Sequence, residues 1–414
     1  MSASDIGGSI VSGQQLHGRQ LHGRGPAGQD SFGRDSFDQD SSGRDSFETV
    51  QLLTPEGVRV DHPDFRYTGD DDAIRGLYRD LFLVRRIDTE AHALQRHGEL
   101  GLWAQCEGQE AAQVGSGRAL RAHDFAFPTY REHGVAWCRN IDPVKLLGLF
   151  RGVELGGWDP SEHNMALYSI VIGAQTLHAA GYGMGLTMDG RVGHGDPDRD
   201  SAVLAYFGDG ASSQGDVNEA FVFAASFNAP VVFFCQNNQW AISVPAERQT
   251  RIPLAGRADG FGFPGVRVDG NDVLACQAVT EAALQRARDG QGPMLIEAYT
   301  YRMGAHTTSD DPTRYRDAAE LDTWRGRDPI ARVQAYLLEA GTPQSFFDDI
   351  SAEADELGAR LRAECVKLPE PDLAALFDHI HVESTVENRE QQAEYTAWRD
   401  AGIEAGAAHE GSMA

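Results

Sequence analysis

The chain has 414 residues, with 36 Lys+Arg against 62 Asp+Glu and a formal net charge of −26, a length that holds two or three ordinary domains or one large α/β domain with extensions. An acidic chain without clustered basic residues excludes general binding to nucleic acid, and no apolar run is long enough to span a membrane. Only Lys145 and Lys367 are lysines, neither in a Gly-rich or carrier context, which argues against a Schiff-base enzyme, a Walker-type nucleotide site and a lipoyl-bearing chain.

Residues 1–48 are low in complexity: Gln-Leu-His-Gly-Arg occurs in tandem at 15–19 and 20–24, and Asp-Ser-Phe recurs at 30–32, 35–37 and 45–47. Such a segment buries too little apolar surface to offset its ordering entropy and reads as a disordered tail. From Asp70 to about His97, apolar residues fall at three- and four-residue steps (Ile74, Leu77, Leu81, Val84, Ile87, Ala91, Leu94), which predicts a helix capped by the acidic run at 70–72 and stopped at Gly98. Helices are expected at 109–120 and 143–150. The centre alternates: strand 202–207, helix 214–228, strand 231–235, strand 265–268, helix 272–288, strand 294–298. Repeated strand-helix-strand units predict an α/β fold, a doubly wound parallel sheet with helices on both faces. Residues 317–400 read as polar helices, and 372–414 as a helical C-terminal extension with a frayed end. The five cysteines (Cys106, Cys138, Cys235, Cys276, Cys365) are unpatterned, as expected for a reducing cytoplasm. His133 and His163 are expected to be structural or solvated, and His178 to lie at a helix interface.

The strongest chemical signal follows the strand ending at Phe207: Gly208-Asp209-Gly210-Ala211-Ser212-Ser213-Gln214-Gly215. Ligands of doubly wound sheets sit at the carboxyl ends of strands. Glycines let main-chain amides approach a phosphate, and a helix N-terminus favours an anion. A carboxylate at such a place repels phosphate unless a divalent metal bridges the two. After the next predicted strand come Asn237-Asn238-Gln239-Trp240, where an amide oxygen can complete a hard-oxygen site. Alone, Gly-Asp-Gly is an ordinary turn. Coupled to Asn-Asn across one strand-helix-strand unit, it resembles the thiamine diphosphate motif.

The run 208–243 is similar to the α subunit of the E1 component of 2-oxo acid dehydrogenase complexes, and the resemblance extends from about residue 50 to 371. It implies a thiamine diphosphate-binding domain over 49–371. It further implies that Asp209 and Asn238 ligate Mg²⁺ through side-chain oxygens and Trp240 through its main-chain oxygen. Gly208, Gly210 and Ala211 would line the diphosphate, with Tyr130 and Arg131 holding it; an arginine fork suits two phosphate oxygens. Ile170 and Ile172 would lie under the cofactor's middle. His306, in a loop running from Tyr301 to Pro312, would contact the diphosphate side and serve acyl transfer as the catalytic histidine.

The implied activity is oxidative decarboxylation of pyruvate or a branched-chain 2-oxo acid, with acyl transfer to lipoyl-lysine on an E2 acyltransferase. The implied partner is an E1 β subunit in an α₂β₂ heterotetramer. The resemblance implies that the carboxylate that activates the pyrimidine comes from a second domain, and the sequence shows no convincing second half, so a β subunit is expected to supply it. Two other readings stay open: a single-chain thiamine diphosphate carboligase or oxidase, and a non-catalytic scaffold subunit. Leu102 to Gln105 is expected near the substrate, although Trp103 reads equally well as core.

Overall fold

The computed structural model describes residues 47–154, 156–371, 373–378 and 380–411. Apart from Phe47 and Glu48, the segment read as a disordered tail lies outside the described residues. The strands are β1 (Thr49–Val50), β2 (Phe125–Phe127), β3 (Val203–Gly208), β4 (Val231–Asn237), β5 (Trp240–Ala241), β6 (Val244–Pro245), β7 (Gly265–Asp269) and β8 (Met294–Tyr299). Six of them form one all-parallel sheet in the order β1-β7-β8-β4-β3-β2. This is the doubly wound α/β sheet that the alternation predicts. β1 and β2, at its edges, are additions: two and three residues carry no readable periodicity.

The helices are α1 (Asp71–Arg96), α2 (Glu110–Ala119), α3 (His133–Cys138), α4 (Pro143–Arg151), α5 (Pro160–His163), α6 (Ala174–Met188), α7 (Gly215–Ser226), α8 (Arg257–Phe261), α9 (Val273–Arg288), α10 (Ala318–Arg325), α11 (Pro329–Glu339), α12 (Gln344–Cys365) and α13 (Val386–Gly411). Asp70 caps α1 by accepting from Ala73 N at 2.9 Å, and Gly98 follows its end at φ +83°. The helix expected from Gln214 begins instead at Gly215, after a 3₁₀ turn over Gly210–Ser213. Asp209 accepts the 3₁₀ bond from Ser212 N at 3.1 Å, so the motif folds back on itself before the α-helix starts.

Alternate residues of each central strand enter opposite cores. Leu204, Tyr206, Val232, Phe234 and Ile296 pack with α1, α2 and α9; Val203, Ala205, Phe207, Val231 and Phe233 pack with α6 and α7. His133 is buried and stacks on Trp103 at 4.2 Å between ring centroids. Trp103 is core, its indole Nε1 donating to Asp88 at 2.8 Å. His178 is exposed on α6 rather than packed at an interface within the chain. All five cysteines are free and buried. Among the described residues no helix is long and apolar enough to cross a membrane.

Helix α2 packs against α9 through Gly115: a Cβ there would lie 2.7 Å from both Cys276 Cβ and Val273 O. Gly115→Ala gains helix propensity of about 1 kcal/mol but must push two helices apart. We expect a net loss of about 1–3 kcal/mol, read as a lower urea midpoint at unchanged slope. A rise in midpoint would show that the two helices have slack.

Candidate active site

The site begins with strand register. β3 and β4 run parallel with Gly208 opposite Gln236, so Asp209 and Asn238 leave the same end of the sheet side by side. Asp209 is 2% exposed, its Oδ2 is buried without a hydrogen-bond partner, and burial pushes the carboxyl up to about 6. Leaving a buried carboxylate oxygen unpaired is costly, so the position has room for a partner that no group of the chain supplies. Beyond Asn238 the chain turns through Gln239 at φ +70° and Ile242 at φ +55°, both left-handed, to form the β5–β6 hairpin. The hairpin lies over the Gly-Asp-Gly turn so closely that a Cβ on Gly210 would meet Ala241 Cβ at 2.8 Å.

Two buried arginines face this turn. Arg131 donates from Nη1 to Gln105 O at 2.5 Å and from Nη2 to His306 O at 2.8 Å. Arg302 donates to the carbonyls of Trp240 at 2.7 Å and Ile242 at 2.9 Å. The Trp240 carbonyl, one of the expected metal donors, therefore already accepts from Arg302; a carbonyl oxygen has two lone pairs, so one acceptor position remains.

His306 lies between them, its Nδ1 at 3.3 Å from Arg131 Nη2 and 3.4 Å from Arg302 Nη1. A guanidinium can only donate, so Nδ1 is an acceptor and the ring proton is on Nε2, 3.4 Å from the Tyr130 hydroxyl. Burial, then the Arg131 and Arg302 charges, push the imidazole down to about 3. The loop is anchored by His306 N donating to Asp310 at 2.9 Å and by Thr308 N donating to Trp103 O at 3.0 Å.

One cavity of about 300 Å³ joins these groups. Its lining contains every expected cofactor- and metal-binding residue except Ile170: Tyr130, Arg131, Ile172, Gly208, Asp209, Gly210, Ala211, Asn238, Trp240 and His306; none of Leu102 to Gln105 lines it. Ile170 lies outside the lining, 66% exposed. Sequence reasoning missed the polar groups beneath the floor. Glu132, buried, accepts from Thr129 N and, at 2.5 Å, from Thr129 Oγ1 and from Gln236 Nε2 at 2.5 Å. Gln109 pairs with Asn238 at 3.0 Å. The signal for them was the spacing of Gln109 and Gln113, one helical turn apart at the start of a predicted helix. Among the described residues no cluster of three His, Cys, Asp or Glu side chains offers a metal site. Any cation here would take one carboxylate plus amide and main-chain oxygens, a hard-oxygen set.

A parallel doubly wound sheet with a donor-lined, glycine-floored cavity at its carboxyl edge defines a binder of a phosphorylated cofactor. The sequence makes the class specific. Residues 78–355 match the family described as the dehydrogenase E1 component, and the chain belongs to that family, whose membership implies thiamine diphosphate. It is 46% identical over 340 residues to the 3-methyl-2-oxobutanoate dehydrogenase subunit alpha of Mycobacterium tuberculosis, covering 82% of this chain and 90% of the relative. It is 36% identical over 335 residues to the pyruvate dehydrogenase E1 component subunit alpha of Bacillus cereus, covering 80% and 88%. The same named subunit of Acholeplasma laidlawii is 36% identical over 327 residues, covering 77% and 91%. The resemblance read from the motifs is thereby borne out.

The geometry of His306 has a direct readout. In the cofactor-free protein its ring nitrogens should show the Nε2–H form by NMR, with no titration between about pH 5 and 8. A midpoint near ~6.5, the value of a solvated imidazole, would show that neither guanidinium faces the ring.

Proposed function

We propose that the chain is the α subunit of the E1 component of a 2-oxo acid dehydrogenase complex acting on a branched-chain 2-oxo acid. The observation that carries the reading is the unpartnered, buried Asp209 oxygen beside Asn238, facing two buried arginines across one cavity. Asp209 Oδ2, Asn238 Oδ1 and the Trp240 carbonyl would hold Mg²⁺. Arg131, Tyr130 and the Gly208–Ala211 turn would hold the diphosphate, with Ile172 in the wall beside it and Ile170 at the outer edge. Bound thiamine diphosphate supplies the electron sink for the carbanion left when CO₂ departs. His306, neutral and with its Nε2 proton toward Tyr130, is suited to donate or accept a proton as the acyl group passes to lipoyl-lysine. An anionic cofactor offsets the two guanidinium charges, so binding should move the His306 pKa upward.

The partners follow from what the cavity offers. Its lining carboxylates are Asp209 and Glu132, and Glu132 is taken up by Thr129 and Gln236. A carboxylate to activate the pyrimidine would then come from an E1 β subunit, in an α₂β₂ assembly closed over the cavity. The apolar rim supports this: Ile170, Val171 and Ile242 are 66%, 69% and 55% exposed, more than a free surface usually gathers at one mouth. The E2 lipoyl domain would deliver its lipoyl-lysine to the same opening. Free buried cysteines support a reducing compartment such as the cytoplasm.

The branched-chain substrate rests on the 46% identity to a 3-methyl-2-oxobutanoate dehydrogenase subunit. Pyruvate stands as the second reading because relatives at 36–38% identity are pyruvate dehydrogenase subunits.

Decarboxylation measured with an artificial electron acceptor tests both. The chain co-expressed with its β subunit, given thiamine diphosphate and Mg²⁺, should turn over; the chain alone should not. The kcat/KM ratio for 3-methyl-2-oxobutanoate over pyruvate should exceed about tenfold, given roughly 1–3 kcal/mol per methylene. Activity without β would overturn the heterotetramer, and a ratio below one would assign the complex to pyruvate. Asp209→Ala and Asn238→Ala should each abolish Mg²⁺-dependent turnover with the fold intact by circular dichroism; full activity in either removes that residue from the metal site.

A further inference from the structure

Beneath the cavity, helix α2 and strand β4 are joined by side-chain amides whose orientation the main chain dictates. Trp240 N donates to Asn238 Oδ1 at 3.2 Å. A main-chain N–H has no alternative role, so the Asn238 amide is fixed with Oδ1 toward the hairpin and Nδ2 away from it. Nδ2 then donates to Gln109 Oε1 at 3.0 Å, which fixes Gln109 in turn. One helical turn along α2, Gln113 is treated differently. Its Nε2 donates to Gln236 Oε1 at 3.1 Å and to Arg131 O at 3.0 Å, and its Oε1 accepts from Gly134 N at 2.8 Å. Gln113 is satisfied at both ends; Gln109 is satisfied at one. Gln109 is 1% exposed, its Nε2 is buried without a partner, and it belongs to the cavity lining.

A buried donor left unmade costs about 1–3 kcal/mol, and nothing on the protein side relieves it. Flipping the amide would oppose two NH₂ groups at Asn238. The acceptor must therefore enter from the cavity. Around Gln109 the cavity presents further donors, the Arg131 and Arg302 guanidinium groups and the Tyr130 hydroxyl, with Asp209 and Glu132 as the carboxylates, of which Glu132 is taken up by Thr129 and Gln236. Several converging donors and one carboxylate suit a ligand with many anionic oxygens that carries its own cation.

We propose that Gln109 is a cofactor-binding residue with two functions: its Nε2 donates to a non-bridging oxygen of the diphosphate, and its Oε1 holds Asn238 so that the second lone pair of Oδ1 can meet the metal. This inference rests on the thiamine diphosphate reading above and adds the residue that caps the N-terminus of α2, a segment otherwise absent from that site.

The test uses the co-expressed α/β assembly and titration calorimetry of thiamine diphosphate at saturating Mg²⁺, with the melting temperature of each cofactor-free assembly recorded. Gln109→Glu keeps an acceptor for Asn238 and replaces the donor by an anion. Gln109→Met removes both functions at similar volume and carries the test if the first variant does not assemble. Both should weaken thiamine diphosphate on the order of 10- to 100-fold, the range of one hydrogen bond to a charged acceptor, with cofactor-free melting unchanged. Wild-type affinity in both variants, while Asp209→Ala loses binding, would overturn the role of Gln109 and leave the cofactor reading standing. Equal affinity in all proteins including Asp209→Ala, or no binding by the wild type, would overturn the cofactor reading and this inference with it. A lowered melting temperature in both variants would assign Gln109 to the scaffold and overturn the proposal.

Discussion

The parallel register of β3 and β4 is the constraint on which the site depends. Gly208 opposite Gln236 brings Asp209 and Asn238 out at the same end of neighbouring strands. That register is held by packing. Phe233 and Phe234 enter opposite cores, and both are fully buried. A slip of one residue would exchange the two faces and displace every aromatic side chain on the strand. Apolar packing on both sides of the sheet thus sets the spacing of polar donors at its end, as close-packed interiors do not deform continuously.

The chain carries −26 overall, yet its cavity gathers two buried guanidinium groups. Each is secured by main-chain carbonyls rather than by a carboxylate: Gln105 and His306 for Arg131, Trp240 and Ile242 for Arg302. Carbonyl dipoles hold the terminal guanidinium nitrogens without cancelling the charge, while Arg302 Nε is buried without a partner, so the field remains for an anionic ligand. A carboxylate partner would have formed a closed ion pair and removed that field. The same contacts link the His306 loop and the left-handed hairpin to the arginines, so the charged groups and the loops that carry them are positioned together. Asp88 extends this order by accepting from Trp103 Nε1, Cys106 N and Glu107 N, which fixes the segment that supplies the Gln105 carbonyl.

Much of this was legible in the sequence because it rests on periodicity. The apolar steps of α1 and the buried runs of β3, β4, β7 and β8 gave the doubly wound sheet. The glycines around Asp209 and the paired asparagines after β4 gave the end of the sheet where a ligand would bind. What escaped reading depends on tertiary geometry. β1 and β2 are too short to show a period. The 3₁₀ turn after Gly210 has no pattern separating it from the first turn of α7. Ile170 and Ile172 are chemically the same and two residues apart, and only the fold decides that Ile172 enters the wall while Ile170 faces out. The amides Gln109, Gln113 and Gln236 carry no charge, and the helical spacing of the first two does not name their partners; their roles exist only once α2 lies across β4.

The exposed rim gives the last step. Asp209, Arg131 and Arg302 interact strongly only where water is scarce, since the same charges in an open, wet cavity are screened to a fraction of that strength. The walls beneath are already dry: Ala211, Gln236 and Asn238 are buried. The mouth is not, because Ile170, Val171 and Ile242 stand out from it with their apolar surface uncovered. Covering that rim would bury apolar area at roughly 25 cal/mol per Å² and, in the same event, remove water from the charged floor. Under the proposed reading the association of a second chain and the strengthening of the cofactor site are therefore one process. Under that reading the anchoring groups stand on the floor of this chain's cavity and the missing carboxylate belongs to the neighbour that covers it.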